Sequence, residues 1–252
     1  MNDLVYKNEL FSSRELMVLA AYSGMEMLRI LQAGSQKSLE PEEMNEAVFQ
    51  LYRKGLLRWN GKNGYEIRPE LRRLLQDIKY AEKELEFWAK GQKNPLHCFW
   101  GENVVIMELS QNDEDRMKVH SSAKDTFFSE LYDREILPEY MTEKQERVNA
   151  DSCKNVWIEF QKRNPELMQE NRAEQLKKLV GRVPELCAFI NVYDRAADQE
   201  VSEILLLKNG LCGCIVVLQQ NFVHIECLRE EVLKILLEQP VTEKEMENYD
   251  LS

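Results

Sequence analysis

Apolar side chains recur at helical spacing through the first 80 residues of the chain. This periodicity predicts four helices, over residues 14–22, 25–31, 41–54 and 69–79. Ser12 or Ser13 is a suitable N-cap for the first helix, and Pro41 suits the first turn of the third. Before the last helix, apolar runs flank two Asn-Gly pairs, a pattern typical of a tight β-hairpin. Three helices, a hairpin and a further helix give the outline of a winged helix.

From residue 83 the pattern changes to short apolar or alternating runs bounded by turn residues, which predicts strands. The predicted strands cover residues 84–89, 96–100, 104–109, 116–120, 186–193, 200–207, 211–218 and 222–226. The polar stretch 110–115 is predicted to be a loop. Helices are predicted over residues 123–136 and 228–237, and most of the charged stretch 138–181 is also predicted to be helical.

The two strand regions are alike, since each is a meander that ends in a helix. We interpret this as a duplication about a quasi-twofold axis, although the same order of elements also arises by chance. The predicted fold is therefore α+β, with a winged-helix-like helical unit over residues 1–80 and a duplicated α+β unit over 81–252. The halves of the second unit, 81–137 and 182–252, are joined by the helical connection 138–181. We expect all of this to form one compact domain.

The charge of the chain is acidic and uneven. Its 252 residues carry 33 Lys and Arg against 44 Asp and Glu, a formal net charge of −11. The whole deficit lies after residue 80, and this balance argues against a protein coated with nucleic acid. Neither a membrane-spanning run nor a signal peptide is visible, and most of the six cysteines lie in apolar runs. These features predict a cytoplasmic protein with reduced thiols.

Short motifs in the first 86 residues resemble the EspG family, which are cytosolic chaperones of the ESX (type VII) secretion systems. Residues 11–19, FSSRELMVL, are similar to that family's opening "s-x-x-E-L-x-v-L", and residues 51–57, LYRKGLL, to its "L-x-x-r-G-L". The resemblance continues through Gly64, through Pro69-Glu70-Leu71 and Leu74-Leu75, and through residues 82–86. It implies a quasi-twofold fold and a chaperone that keeps a small helical secretion substrate soluble before export. No individual functional residue carries over.

Catalytic motifs are missing from the sequence, which contains no Gly-rich phosphate loop, no G-x-S-x-G and no H-E-x-x-H. His97 and Cys98 are adjacent in a strand, so they face opposite ways and cannot form a nucleophile–base pair. The remaining histidines, His120 and His224, occupy matching places in the proposed repeat, which favours a structural role. We expect no enzymatic activity and no cofactor.

One cysteine-rich segment invites a metal-site interpretation. Cys212 and Cys214 share a face of a strand, and Cys227 and His224 lie close in sequence. The spacing matches no zinc template, so we interpret these residues as buried thiols and predict no metal.

Other residues are candidates for binding a protein partner. Trp88, Phe99 and Trp100 cluster at the start of the first sheet, where aromatic side chains either form core or anchor a partner. Asp113 and Glu114 lie at a predicted solvated hairpin tip. We assign these five residues to a partner-binding set.

A DNA-binding regulator is the alternative hypothesis, with an acidic C-terminal part that senses a ligand or dimerises. Its phosphate-contacting face would use basic residues around the hairpin: Arg53, Lys54, Arg58, Lys62, Arg72 and Arg73. The presumed recognition helix, however, begins with Glu42, Glu43 and Glu46, whose carboxylates would repel phosphates and bases. We therefore consider nucleic acid a less suitable partner than protein.

Overall fold

The computed structural model describes residues 9–25, 39–61, 64–110, 113–137, 150–165, 172–180, 182–210, 212–219 and 222–238. It mixes helices with antiparallel sheet, so the predicted α+β class is confirmed. The described helices are α1 (Ser13–Tyr22), α2 (Pro41–Arg53), α3 (Pro69–Lys79), α4 (Lys124–Asp133), α5 (Ala150–Arg163), α6 (Arg172–Leu179) and α7 (Glu230–Glu238). The described strands are β1 (Glu9–Ser12), β2 (Leu57–Trp59), β3 (Tyr65–Ile67), β4 (Lys83–Ala89), β5 (Leu96–Trp100), β6 (Asn103–Ser110), β7 (Asp113–Ala123), β8 (Leu186–Asp194), β9 (Gln199–Asn209), β10 (Cys212–Gln219) and β11 (Phe222–Cys227).

The chain divides into two compact units. The first comprises Met1–Leu85 with Leu96–Phe127, and the second comprises Glu86–Pro95 with Phe128–Ser252. Both β4 and α4 run from the first unit into the second. The predicted helical unit over residues 1–80 lies wholly within the first unit, and its status as a separate domain stays a prediction. Within the described residues, no helix is both long and apolar enough to cross a bilayer.

Local signals explain the helices of the first unit. The Ser12 hydroxyl accepts a hydrogen bond from the Glu15 N–H (3.2 Å), and the Glu15 carboxylate accepts one from the Ser12 N–H (2.7 Å). This capping box satisfies two backbone donors at the start of α1, as expected for a serine N-cap. Pro41 opens α2 and Pro69 opens α3. The predicted helix over 25–31 falls outside the described residues, apart from its first position.

The predicted hairpin is present as β2 and β3. Leu57 pairs with Ile67, and Trp59 pairs with Tyr65. Gly55 lies between α2 and this hairpin with φ +70, a left-handed conformation that glycine adopts without steric cost. The winged-helix arrangement as a whole stays a prediction.

The sheet of the first unit contains β1, β7, β6 and β5 in that order, all antiparallel. Helices α1, α2 and α3 share one hydrophobic cluster with it, which includes Leu16, Leu51 and Leu74 from the helices and Phe99 and Val105 from the strands. The helical segment thus folds against this sheet by burying apolar surface, the dominant favourable term in folding.

The predicted loop over residues 110–115 is wrong at both ends. β6 extends to Ser110, and β7 begins at Asp113, which pairs with Ser110 after an irregularity at Leu109. Backbone hydrogen bonds hold this ladder together whatever the polarity of the side chains, so local polarity was a poor guide. The predicted helix over 123–136 is shorter than expected: α4 ends at Asp133, and Glu135 adopts φ 57 soon afterwards.

The second unit contains β8, β9, β10 and β11 in that order, again antiparallel. Its core joins α5 and α6 to the sheet through Trp157, Phe160 and Leu176 on the helices and Leu205 and Val216 on the strands. The chain order β8 to β11 followed by α7 matches the order β4 to β7 followed by α4. This match is compatible with the predicted duplication, whose quasi-twofold axis stays a prediction.

Candidate partner-binding surface

The three predicted aromatic anchors do not form an exposed cluster. Phe99 is 0% exposed and Trp100 is 2% exposed, so neither can contact a partner in this conformation. Trp100 packs edge-on against Phe127 with ring centroids 5.6 Å apart. Trp88 is partly buried, and the Lys177 ammonium lies 5.4 Å from its ring centroid.

The physical reason is that four of the five residues of β5 are buried. Both faces of this strand are therefore covered, and strand alternation alone cannot reveal that. The acidic pair of the predicted set, Asp113 and Glu114, forms the first two residues of β7. Their role in partner binding stays a prediction.

An exposed aromatic surface lies elsewhere in the first unit, on α2 and the β2–β3 hairpin. We call Phe49, Tyr52, Trp59 and Tyr65 the hairpin patch. Trp59 is 60% exposed, and Phe49 and Tyr52 are each about half exposed. The Tyr65 ring touches both Trp59 (5.3 Å between centroids) and Tyr52 (5.9 Å), edge to face in both cases. The Arg53 guanidinium lies 5.8 Å from the centroid of the Phe49 ring.

Strand geometry explains how this surface forms. Alternate residues of a strand share a face, so Trp59 and Tyr65 extend the face on which Leu57 and Ile67 lie. At the base of the hairpin Leu57 is buried, whereas at the tip Trp59 reaches solvent. Because Tyr65 packs against the core cluster of this unit, the patch is held on a fixed support.

Sequence reasoning missed the hairpin patch although a signal was present. Ala47 and Leu51 form the buried stripe of α2, and Phe49 and Tyr52 lie off that stripe. Large aromatic side chains on the polar face of an amphipathic helix have no core to fill. They therefore indicate an interaction surface.

Among the described basic residues of the DNA-binding alternative, one is held in place by hydrogen bonds. Arg53, Arg58, Arg72 and Arg73 are exposed, while Lys62 lies outside the described residues. Lys54 is tied down, since its ammonium donates to the buried Glu15 carboxylate (2.7 Å) and to the Leu10 carbonyl (2.8 Å). The predicted phosphate-contacting face is thereby smaller than the sequence indicated.

All six cysteines are thiols. Cys153 on α5 and Cys227 at the end of β11 bring their Sγ atoms to 3.2 Å, and Cys214 lies beside Cys227 in the ladder. Burial raises the pKa of Cys153 well above its ordinary value and that of Cys214 to about 12. Such thiols stay protonated at neutral pH and are poor nucleophiles. Within the described part of the chain, no group of three or more His, Cys, Asp or Glu is arranged to hold a metal ion.

His97, His224 and the buried Glu203 each lie beside a polar side chain of the fold, which suits a structural role. His97 Nδ1 lies 3.9 Å from a Glu84 carboxylate oxygen, and His224 Nε2 lies 3.2 Å from Glu226. Arg172 on α6 donates to the buried Glu203 carboxylate of β9, which fixes α6 to the sheet of the second unit.

The sequence and the fold can both be compared with those of known proteins. No family model matches the chain, and no curated protein matches it. Among solved structures it is similar to the Mycobacterium tuberculosis type VII secretion system chaperone EspG5, determined in complex with the PE25–PPE41 dimer. The TM-score is 0.50 at 8% sequence identity, and the match covers 92% of this chain and 95% of that chain. At this identity the likeness shows the fold alone, and it supports a distant EspG-like fold relationship. The quasi-twofold axis that the resemblance implied stays a prediction.

Proposed function

We propose that this protein is a non-catalytic chaperone or adaptor that binds a small helical substrate of a type VII secretion system in the cytoplasm. The observation that carries the proposal is the fold shared with EspG5 over 92% of this chain and 95% of that chain. EspG5 is a secretion chaperone seen with a bound protein dimer, so a protein partner is the natural expectation for a chain of the same fold.

The hairpin patch is the surface that we assign to the partner. Interface hot spots are enriched in Trp, Tyr and Arg, and the patch combines Trp59, two tyrosines and the neighbouring Arg53. Aromatic rings bury a large area for few rotatable bonds, which lowers the entropy cost of binding. Because the rings of Tyr52, Trp59 and Tyr65 already touch one another, binding should cost little further side-chain entropy.

The mode of action that we propose is stoichiometric binding. The buried thiols Cys153 and Cys214 have raised pKa values that disfavour covalent catalysis. Two of the buried carboxylates, Glu15 and Glu203, are paired with Lys54 and Arg172. Both pairs link elements of the fold, which is a sufficient reason for their presence.

The decisive experiment is co-expression of the whole chain with each small helical protein encoded beside type VII secretion genes in the source genome. We expect one of them to co-purify at a fixed stoichiometry, measured by light scattering after gel filtration. The change F49A/W59A should weaken that complex by about 30-fold or more, because loss of a hot-spot side chain costs 2 kcal/mol or more. The matched control, I158A/I235A, removes exposed apolar residues of the second unit and should leave affinity unchanged.

Two results would contradict the proposal. One is failure of every candidate partner to bind, although the folded chain is present. The other is retention of duplex DNA at physiological salt, lost on changing Arg53 and Arg58 to Glu. The second result would favour the DNA-binding regulator. The exposed arginines are the observation that supports this alternative.

A further inference from the structure

A groove in the first unit runs between the end of α1, strand β3 and helix α3. Its volume is about 290 Å³, and the residues that give it its character are three tyrosines and two cations: Tyr22, Tyr65, Tyr80, Arg72 and Lys79. None of them belongs to the partner-binding set expected from the sequence. Tyr65 also belongs to the hairpin patch, so the groove and the patch share a wall.

The two cations are positioned by the fold. Arg72 and Lys79 are seven residues apart on α3, which is two helical turns, so both point to the same side of the helix. The Lys79 ammonium donates to the Ser23 carbonyl at 3.0 Å, and an Arg72 N–H group reaches the Ile67 carbonyl at 3.5 Å. These bonds anchor the side chains to α1 and β3, the other two walls of the groove.

The charge of the groove is opposite to that of the chain. Its lining contains two cations and one carboxylate, Glu66, whereas the whole chain carries a formal charge of −11. Glu66 already accepts a hydrogen bond from Asn60 at 3.2 Å. A net positive groove on an acidic protein favours a negatively charged ligand group.

Tyrosine side chains flank the cations of the groove. Tyr80 is 73% exposed, and Tyr22 is about half exposed. Tyr22 also lines a second cavity of about 250 Å³, whose other described walls include Met17, Ala21 and Met44. A ligand that places an anion at Arg72 and Lys79 would therefore bring neighbouring apolar groups against the tyrosine rings and, beyond Tyr22, against methionine side chains of the second cavity.

We propose that this groove binds an acidic segment of the protein partner, with an Asp or Glu carboxylate held by Arg72 and Lys79 and a neighbouring apolar side chain against Tyr22 and Tyr80. The inference rests on the proposed function and specifies the chemistry of its partner. A protein segment suits the site better than nucleic acid does. Neutralising a phosphate backbone takes a row of cations, whereas the groove offers two cations beside a carboxylate.

The test uses fragments of the source genome displayed on phage and selected against three forms of the whole chain. These forms are the parent, R72E/K79E, and K90E/K93E, a control that makes the same charge change at two exposed lysines of the second unit. The parent and the control should enrich helical fragments with Asp or Glu beside apolar residues. For individual fragments measured by fluorescence anisotropy, R72E/K79E should raise the Kd at least tenfold, and R72K/K79R should restore most of the affinity. Thermal unfolding checks that each variant is folded.

The outcomes separate the groove from the proposed function. Fragments that bind R72E/K79E as tightly as the parent, but lose binding in F49A/W59A, would overturn the groove and leave the chaperone proposal standing. Enrichment of basic or uncharged fragments would overturn the acidic chemistry. Binding of a fluorescent single-stranded RNA or duplex DNA probe, abolished by R72E/K79E without any enriched protein fragment, would overturn the partner class and the proposed function together.

Discussion

The two units have similar interiors and different surfaces. Each packs helices onto one face of a four-stranded antiparallel run through leucine, valine and aromatic side chains. Of the nine large hydrophobic residues that are exposed in the described part of the chain, however, seven lie between residues 10 and 80. The second unit has two, Ile158 and Ile235. An exposed apolar cluster on an otherwise well-packed unit marks an interaction site, so the first unit is where we expect recognition to take place.

The largest expected difference between the units concerns tryptophan. Trp157 of the second unit is 4% exposed and stacks on Phe160 at 6.1 Å. Changing Trp157 to Ala should lower the free energy of unfolding by about 3–5 kcal/mol, because it removes buried area and leaves a cavity. Chemical denaturation measures the loss. A cost below about 1 kcal/mol would show that the second unit is not the tightly packed body on which the comparison depends.

The buried ion pairs of the two units provide the next test. Changing Lys54 to Met leaves the Glu15 carboxylate buried without its cation and should cost about 1–3 kcal/mol. Changing Arg172 to Met should do the same to Glu203 in the second unit. The exposed pair Arg14–Glu43 is the control, and R14M should cost less than about 1 kcal/mol.

The double variant E15Q/K54M sharpens this result. Removing both charges should recover part of the loss seen in K54M, since no buried charge is left unpaired. If K54M and R14M lowered the free energy of unfolding by the same small amount, Lys54 would have no special role in fixing α2 and the hairpin that follows it. The support of the hairpin patch would then have to come from Tyr65 and the core alone.

The comparison also explains which features of the fold can be read from sequence. Ser12, Pro41 and Pro69 act within one or two turns of the backbone, so the helix starts that they signal are found where they were expected. Strand pairing at 110–113 and the burial of Phe99 and Trp100 depend on distant segments. A local pattern contains no information about which element covers the second face of a strand.

The candidate site was hard to predict for the same reason. The aromatic residues of β5 and those around β2 look alike in the sequence. The first set is buried in the core, and the second is exposed on the surface. Leu57 at the base of the hairpin belongs to the core cluster, whereas Trp59, two residues nearer the turn, is exposed. That distance along the hairpin is a property of the three-dimensional fold.

The stability of the second unit should depend on pH through the protonation of Glu203. Burial raises the pKa of this carboxyl above its ordinary value, while Arg172 opposes the rise and Glu200 adds to it. A raised pKa in the folded state means that the native protein binds the proton more tightly than the unfolded chain does. The stabilising contribution of that proton is complete below the ordinary carboxyl pKa and is lost as the pH rises through the folded-state value.

The measurement is the free energy of unfolding between pH 4.5 and 7 for the parent and E203Q. The parent should gain stability relative to E203Q as the pH falls, with a slope of at most about 1.4 kcal/mol per pH unit for one proton. The loss of the Arg172 partner adds an offset that does not depend on pH in this range. Parallel profiles would mean that Glu203 titrates normally, and that the second unit does not bury an acid as the structure indicates.

The smallest expected effect is at Trp59, the counterpart of Trp157 on the surface of the first unit. Because Trp59 is 60% exposed, changing it to Ala should alter the free energy of unfolding by no more than about 0.5 kcal/mol. The same change should remove the most easily quenched tryptophan fluorescence, since Trp100 and Trp157 are buried and Trp88 is partly buried. Binding of the partner should protect Trp59 from the quencher in the parent protein. A large loss of stability in W59A would instead place Trp59 within the core, and the contrast between an exposed first unit and a closed second unit would fail at its most important residue.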